Sequence, residues 1–354
     1  MKKDYYYFVD ILRWLSATAV IFYHYSAHFQ IEEINDSRFF NFIINNSPYG
    51  AYGVWVFWMI SGFVFTNIYI NTKSNLSEFF VKRFARLYPL HFATLIIVAL
   101  LQLYSFKQFD HLQMYAFQDS PELHYNDLYR FIKNLFFINN GHSYNVVTWS
   151  VSIEIPVYFI FFYFIKYNTN NFFLKSLFLV FLLWLNLRFN FLYYHLTMCL
   201  FYFFFGALIY LICNSLKKFN IYLLLFSIIG ILSIPFMHEL KNIIFLAQIK
   251  KFIPTNLLFY LSLLILFFSL EKYLHNVGKK IKFLGDSSYA IYMIHFPIQI
   301  IVLILIDHQF IDLETLKSYK FLIAFLIFTN LIAYPIFKLF ETPMRKKITR
   351  YFKY

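Results

Sequence analysis

Residues 8–25 read FVDILRWLSATAVIFYHY, and this run decides the fold. It is apolar for most of its length, yet it carries Arg13 and His24. The two are eleven residues apart, so on an α-helix they fall within about 20° of one face and about 16 Å apart along the axis. Ionisable groups inside a membrane-length apolar segment are costly and mark function. A fixed cation near one membrane surface and a titratable imidazole nearer the other suit a molecule that enters from one side and reacts deep in the bilayer.

The rest of the chain repeats this apolar theme. Of its 354 residues 60% are hydrophobic and only 14% charged, with a mean hydropathy of +0.57. A soluble domain of that composition would expose apolar surface it could not cover. Runs of about twenty apolar residues predict an all-α polytopic transmembrane helix bundle of about ten spans, near 8–29, 50–71, 88–106, 147–166, 173–190, 194–213, 219–237, 254–270, 286–306 and 318–340. No internal repeat stands out, and no linker or soluble segment is long enough to fold alone. Residues 1–354 therefore read as one membrane-embedded domain.

Charge sets the expected orientation. The formal net charge is +13, which in a soluble protein would raise the question of nucleic acid. Here the lysines and arginines fall mostly in alternate loops and serve as topology markers, so no nucleic-acid partner is expected. With the N-terminus cytoplasmic, the inner segments hold Lys2, Lys3, Lys73, Lys82, Arg83, Arg86 and the run from Arg345 to Lys353, among others. They carry nearly twice the basic residues of the outer segments, where Arg38, Lys107, Arg130, Lys241, Lys250 and Lys251 lie. Both termini are thus expected inside, with Arg13 near the cytoplasmic face and His24 toward the outer one. The first apolar run carries Arg13 and lacks a small-residue cleavage end, so it reads as a retained span rather than a signal peptide. Cys199 and Cys213 share one expected helix about 21 Å apart, which excludes a disulfide between them. Two cysteines are too few for a cysteine metal site, and no metal is expected.

The residues with chemistry cluster at the two sides of the bilayer. The segment FVKRFARLYPL puts Lys82, Arg83 and Arg86 within about one helical turn, just before Tyr88 and Pro89. Arg83 and Arg86 share a face. Such a pair suits bidentate phosphate recognition, and it equally suits a positive-inside anchor. Pro89 reads as a first-turn proline opening the third span. Glu154, about five residues into the fourth span, comes to a depth similar to that of His24. A carboxylate beside an imidazole would fix its tautomer and support its positive charge; a structural ion pair, to Arg13 or another helix, is the alternative. Asp10, three residues before Arg13, is expected to hold the guanidinium. Gly285 to Ser288 read as a turn and N-cap for the ninth span, within which His295 is either a packing residue or a functional one. Glu341 and Arg345 close the last span near the level of the Arg83 cluster. The loop 107–146 reads as external, either an acceptor-recognition element or a plain connector, and its YRFIKNLFF stretch as a short interfacial or re-entrant helix.

These motifs together resemble the acyltransferase-3 family of integral membrane acyltransferases, which includes O-acetylases of bacterial lipopolysaccharide, capsule and peptidoglycan. They appear in order: DILR at 10–13 with the histidine at 24, GVWVFWMISGF at 53–63, FVKRFARLYPL at 80–90, WSVSIE at 149–154, LGDSSYAIYMIHFP at 284–297 and ETPMRK at 341–346. Trp14 replaces the family's usual small residue, and Ile155-Pro156 replaces its glutamate-rich run. The resemblance implies a transferase (EC 2.3.1.-) of the bacterial cytoplasmic membrane, with acetyl-CoA or another acyl-CoA as cytoplasmic donor. It implies His24, Glu154 and Arg13 as catalytic residues, and Arg83, Arg86, Lys82, Tyr88 and Arg345 at the donor. Some members carry a fused extracytoplasmic hydrolase-like domain, and none is expected here. The acceptor is expected to be a hydroxyl of a surface or lipid-linked glycan, with membrane lipid around the bundle and a homo-oligomer left open. His24 acts either as general base or as an acylated relay. The competing class is a glycan or lipid transporter with the buried polar residues as its path; the expected spans lack the paired breaks and repeats of transporters. A glycan polymerase, needing no CoA, is a further alternative.

Overall fold

The computed structural model describes residues 5–29, 51–72, 75–110, 127–138, 144–167, 171–189, 191–233 and 255–353. The expected inner positions of Lys2, Lys3 and Lys73, the outer positions of Arg38, Lys241, Lys250 and Lys251, and stretches 111–126 and 139–143 of the long loop lie outside the described residues. Among the described residues the regular structure is helical throughout. The helices are α1 (Tyr7–Phe29), α2 (Ala51–Tyr69), α3 (Leu76–Phe109), α4 (Leu128–Leu135), α5 (Trp149–Tyr167), α6 (Phe172–Phe189), α7 (Tyr194–Ser215), α8 (Asn220–Leu232), α9 (Thr255–Lys280), α10 (Lys282–Asp286), α11 (Ser288–Asp307), α12 (Leu313–Leu316), α13 (Tyr319–Ile336) and α14 (Thr342–Tyr351).

Each expected span coincides with a helix. Among the described residues eight helices are long and apolar enough to cross a membrane, which makes this a multi-pass membrane protein. The other two are α1, whose hydropathy is lowered by Asp10, Arg13 and His24, and α8, whose described part has 13 residues. The third span starts earlier than its apolar run. Asn75 caps α3 by accepting the Glu78 N–H, Glu78 pairs with Lys82, and the helix runs through Pro89 to Phe109. Pro89 is therefore an interior proline rather than a first-turn one. Local capping and ion pairing extend the helix into the polar sequence that carries the arginines. At the other end a π-helical turn, Phe337–Glu341, joins α13 to α14. It turns Glu341 inward, to 1% exposure. Such turns often occur at functional sites.

The chain folds as two compact units whose segments alternate along the sequence. The first takes α1 as far as Leu15, α2 from Trp55 on, and the stretch from Pro156 to Gly285. Its centre is a close approach of two backbones. A Cβ on Gly62 would lie 1.8 Å from the Phe203 carbonyl oxygen, and one on Gly206 would lie 1.9 Å from that of Met59. Small residues at such crossings let α2 and α7 meet at backbone distance. Trp55 stacks on Tyr202 beside this crossing, at 5.4 Å and 13°. Cys199 and Cys213 are buried free thiols of α7. Gly285 meets Asp10 so closely that a Cβ would come within 2.6 Å of the Asp10 Cβ. Its glycine is set by that contact as well as by the turn read from the sequence.

The second unit takes α1 from Ser16, α3, α4, the start of α5, and everything from Asp286 on. α11 is its core, with every residue from Ser288 to Pro297 buried against α3, α13 and the turn Val146–Thr148. Ser287 occupies the cap position of α11 without a side-chain cap bond, so the expected serine cap is positional only. Pro297 lacks the N–H that would reach the Met293 carbonyl four residues back. Asn145 Nδ2 approaches that carbonyl at 3.5 Å. α14 packs on α3, which brings the two basic segments of this unit side by side.

Candidate functional site

The site of the second unit is built on α11. Tyr289, Tyr292 and His295 follow one another at three-residue spacing, each step about 4.5 Å along the axis. All three are buried. Tyr289 donates its hydroxyl to the Leu87 carbonyl of α3 at 2.8 Å. Tyr292 donates to the Val147 carbonyl at 2.8 Å, and so accepts from the Ser150 hydroxyl at 2.7 Å. His295 Nδ1 lies 2.7 Å from the Tyr292 carbonyl oxygen. His295 Nε2 lies 3.0 Å from His24 Nδ1, with the ring centroids 5.2 Å apart and the planes 28° from parallel, so the two rings meet edge to edge. The sequence offers Glu154 as the companion of His24 and leaves His295 as either a packing residue or a functional one. His295 is the ring set against His24, while Glu154 acts electrostatically on Tyr292 and Tyr289.

At the other end of this line lies positive charge. Lys82, Arg83 and Arg86 of α3 and Arg345, Lys346 and Thr349 of α14 line a cleft of about 250 Å³. A second hollow of about 470 Å³ adjoins it, lined by Lys346, Thr349, Arg350 and Lys353. Buried Glu341 faces Arg86 and Arg345, and Tyr289 feels Glu341, Arg86 and Glu154 together. The meeting of Glu341 and Arg345 with the Arg83 cluster is as the sequence suggested. The cleft also takes in Lys346 and Thr349; for Thr349 the sequence signal is its four-residue spacing from Arg345, which puts it on the same face of α14. Tyr88, expected at the donor, is not among the cleft residues. It stacks between Phe84 at 4.5 Å and Phe92 at 6.2 Å, in an aromatic ladder along α3.

Arg13 belongs to the first unit. It pairs with Asp10, as the spacing predicted, with side-chain exposures of 11% and 14%. Tyr5 donates its hydroxyl to the same carboxylate, and Lys282 Nζ lies 5.1 Å from the centre of the Tyr5 ring. The guanidinium is thus fixed in place by an acid that is itself held from a second side.

The described part of the long loop forms a wall on the second unit. α4 is the short helix read from YRFIKNLFF, capped by Asp127, which accepts the Arg130 N–H. Its Leu128, Tyr129 and Ile132 are exposed, as suits an interfacial helix. His91 of α3 donates from Nε2 to the Asn134 carbonyl at 2.7 Å and stacks on Phe137 at 3.9 Å. Thr148 joins Asn134 at 3.3 Å, and Asn145 joins Thr94 at 3.2 Å. Tyr144 is buried here, and that burial, then the Asp127 charge, raises its hydroxyl above its ordinary pKa.

Clustered cations at one end of a buried polar line and an imidazole pair at the other can serve group transfer from a charged donor. No curated protein and no solved structure matches the chain. The family model described as an acyltransferase domain matches residues 6–338, nearly the whole chain. The chain belongs to the acyltransferase-3 family, and it is an acyltransferase of the membrane.

Proposed function

We propose that this acyltransferase moves an acyl group, acetyl in the first instance, from acyl-CoA to a hydroxyl of a bacterial surface glycan or its lipid-linked precursor. It would act in the cytoplasmic membrane, with about ten spans and both termini inside. The observation that carries the reading is the basic cleft of Lys82, Arg83, Arg86 and Arg345, joined through Tyr289 and Tyr292 to the His24–His295 pair. A nucleotide donor brings several phosphate charges, and guanidinium groups bind these bidentately.

In this mechanism the cleft holds the phosphates of CoA and the thioester reaches His24. His24 takes the proton of the acceptor hydroxyl as general base. The hydroxyl oxygen forms its bond to the acyl carbonyl carbon while the carbon–sulfur bond breaks. The proton then passes to the departing CoA thiolate, giving CoA and the acylated glycan. Glu154 contributes negative charge that favours the imidazolium during the transfer. Arg13, held by Asp10, is required as a fixed cation.

The test is transfer of label from acetyl-CoA to a lipid-linked glycan by the purified full-length protein. Wild type transfers label and His24→Ala, made at equal protein level, does not. Label transfer by His24→Ala removes His24 from the chemistry. Transport of unmodified glycan without label transfer would replace the reading with a flippase. Mass spectrometry of the host glycan, with and without an active copy, identifies the acyl group from its mass.

A further inference from the structure

We propose that His295 is the positioning residue that fixes the tautomer of His24, so that Nε2 of His24 is the basic atom. This deepens the acyl-transfer reading and rests on it.

The chain of hydrogen bonds fixes where each proton sits. The Tyr292 carbonyl can only accept, so His295 Nδ1, 2.7 Å away, carries the hydrogen. A neutral His295 then has its lone pair on Nε2. That nitrogen lies 3.0 Å from His24 Nδ1, so His24 Nδ1 carries the hydrogen and donates it. The lone pair of neutral His24 is left on Nε2. Free histidine favours the opposite tautomer, with hydrogen on Nε2, so the environment must supply the preference. His295 supplies it from full burial, at 0% exposure. Its own ring is fixed by a carbonyl of the helix that bears it.

The arrangement is the logic of an orienting acid behind a catalytic imidazole, with a neutral ring as the orienter. It balances without a further group. When His24 Nε2 accepts the acceptor's proton, the positive ring still donates from Nδ1 to His295, and the hydrogen bond strengthens because its donor is charged.

The experiment uses the full-length protein in nanodiscs, with three variants. Gln at position 295 sets an amide oxygen near the place of Nε2 and still accepts from His24. Asn replaces only the Nδ1 end and does not reach His24. His295→Gln is expected to keep kcat within about tenfold, while His295→Asn and His295→Ala lose about 10²-fold or more, as wrong-tautomer variants do. The KM for acetyl-CoA stays within about twofold in all three, since binding is not at issue. Nitrogen-15 spectra of the wild type are expected to show His24 protonated at Nδ1, and this measurement stands even where a variant does not fold. Wild-type kcat in His295→Ala, equal losses in Gln and Ala, or a His24 protonated at Nε2 overturns the proposal. An inactive His24→Ala beside a fully active His295→Ala retains the acyl-transfer reading and removes only this one; an active His24→Ala removes both.

Discussion

Tyr289 donates its hydroxyl to the Leu87 carbonyl at 2.8 Å, two residues before Pro89, and so clamps α11 to α3 where the basic segment ends. Removing that hydroxyl in Tyr289→Phe keeps the ring and loses one buried hydrogen bond, a cost of about 1 kcal/mol. Thermal unfolding in detergent should show a modestly lower midpoint. The donor KM should rise with it, because α3 carries three of the cleft's cations.

Glu341 and Arg86 make a second pair with a measurable coupling. Glu341 is buried and faces both Arg86 and Arg345. Arg86→Gln leaves that carboxylate with one cation instead of two, and is expected to destabilise by about 1–3 kcal/mol, the cost of a buried polar group losing a partner. Arg86→Gln with Glu341→Gln should recover part of the stability while leaving the donor KM raised. A double-mutant cycle measures the difference; strict additivity would mean that the two side chains do not interact.

Gly206 has no room for a side chain against the Met59 carbonyl. Gly206→Leu should separate α2 from α7 and cost more than the about 1–3 kcal/mol of ordinary overpacking. The readout is loss of folded protein after extraction. Gly230→Ala is the matched control, because the atom it meets is the Ser262 hydroxyl, a side chain able to turn away.

The helices were legible because membrane-length apolar runs have one stable structure, and the described part of each expected span is helical. Helix starts were less so. α3 begins at Leu76, set by the Asn75 cap and the Glu78–Lys82 pair, neither of which registers in hydropathy. Of the site, the Arg83 and Arg345 segments could be placed at one level from span counting alone, and Asp10 could be paired with Arg13 from spacing. The partner of His24 could not. Depth matching selects groups at the same height, and by helix rise it favours Glu154, because His24 lies sixteen residues from the inner end of its expected span and His295 only nine, about 10 Å apart in depth. Which ring meets His24 depends on the rotation of α11, and that is fixed by Tyr289, Tyr292 and Asn145, whose contacts are all tertiary.

The distance in sequence between His24 and His295 also bears on how the protein is made. The two imidazoles are separated by 271 residues. At ribosomal rates of about 5–20 residues per second, the first ring is synthesised roughly 14–54 s before the second. The nascent protein therefore passes most of its synthesis without its paired rings, and the bond between them forms only near the end of translation. Until α11 is made, His24 lacks the ring that the finished structure sets against it.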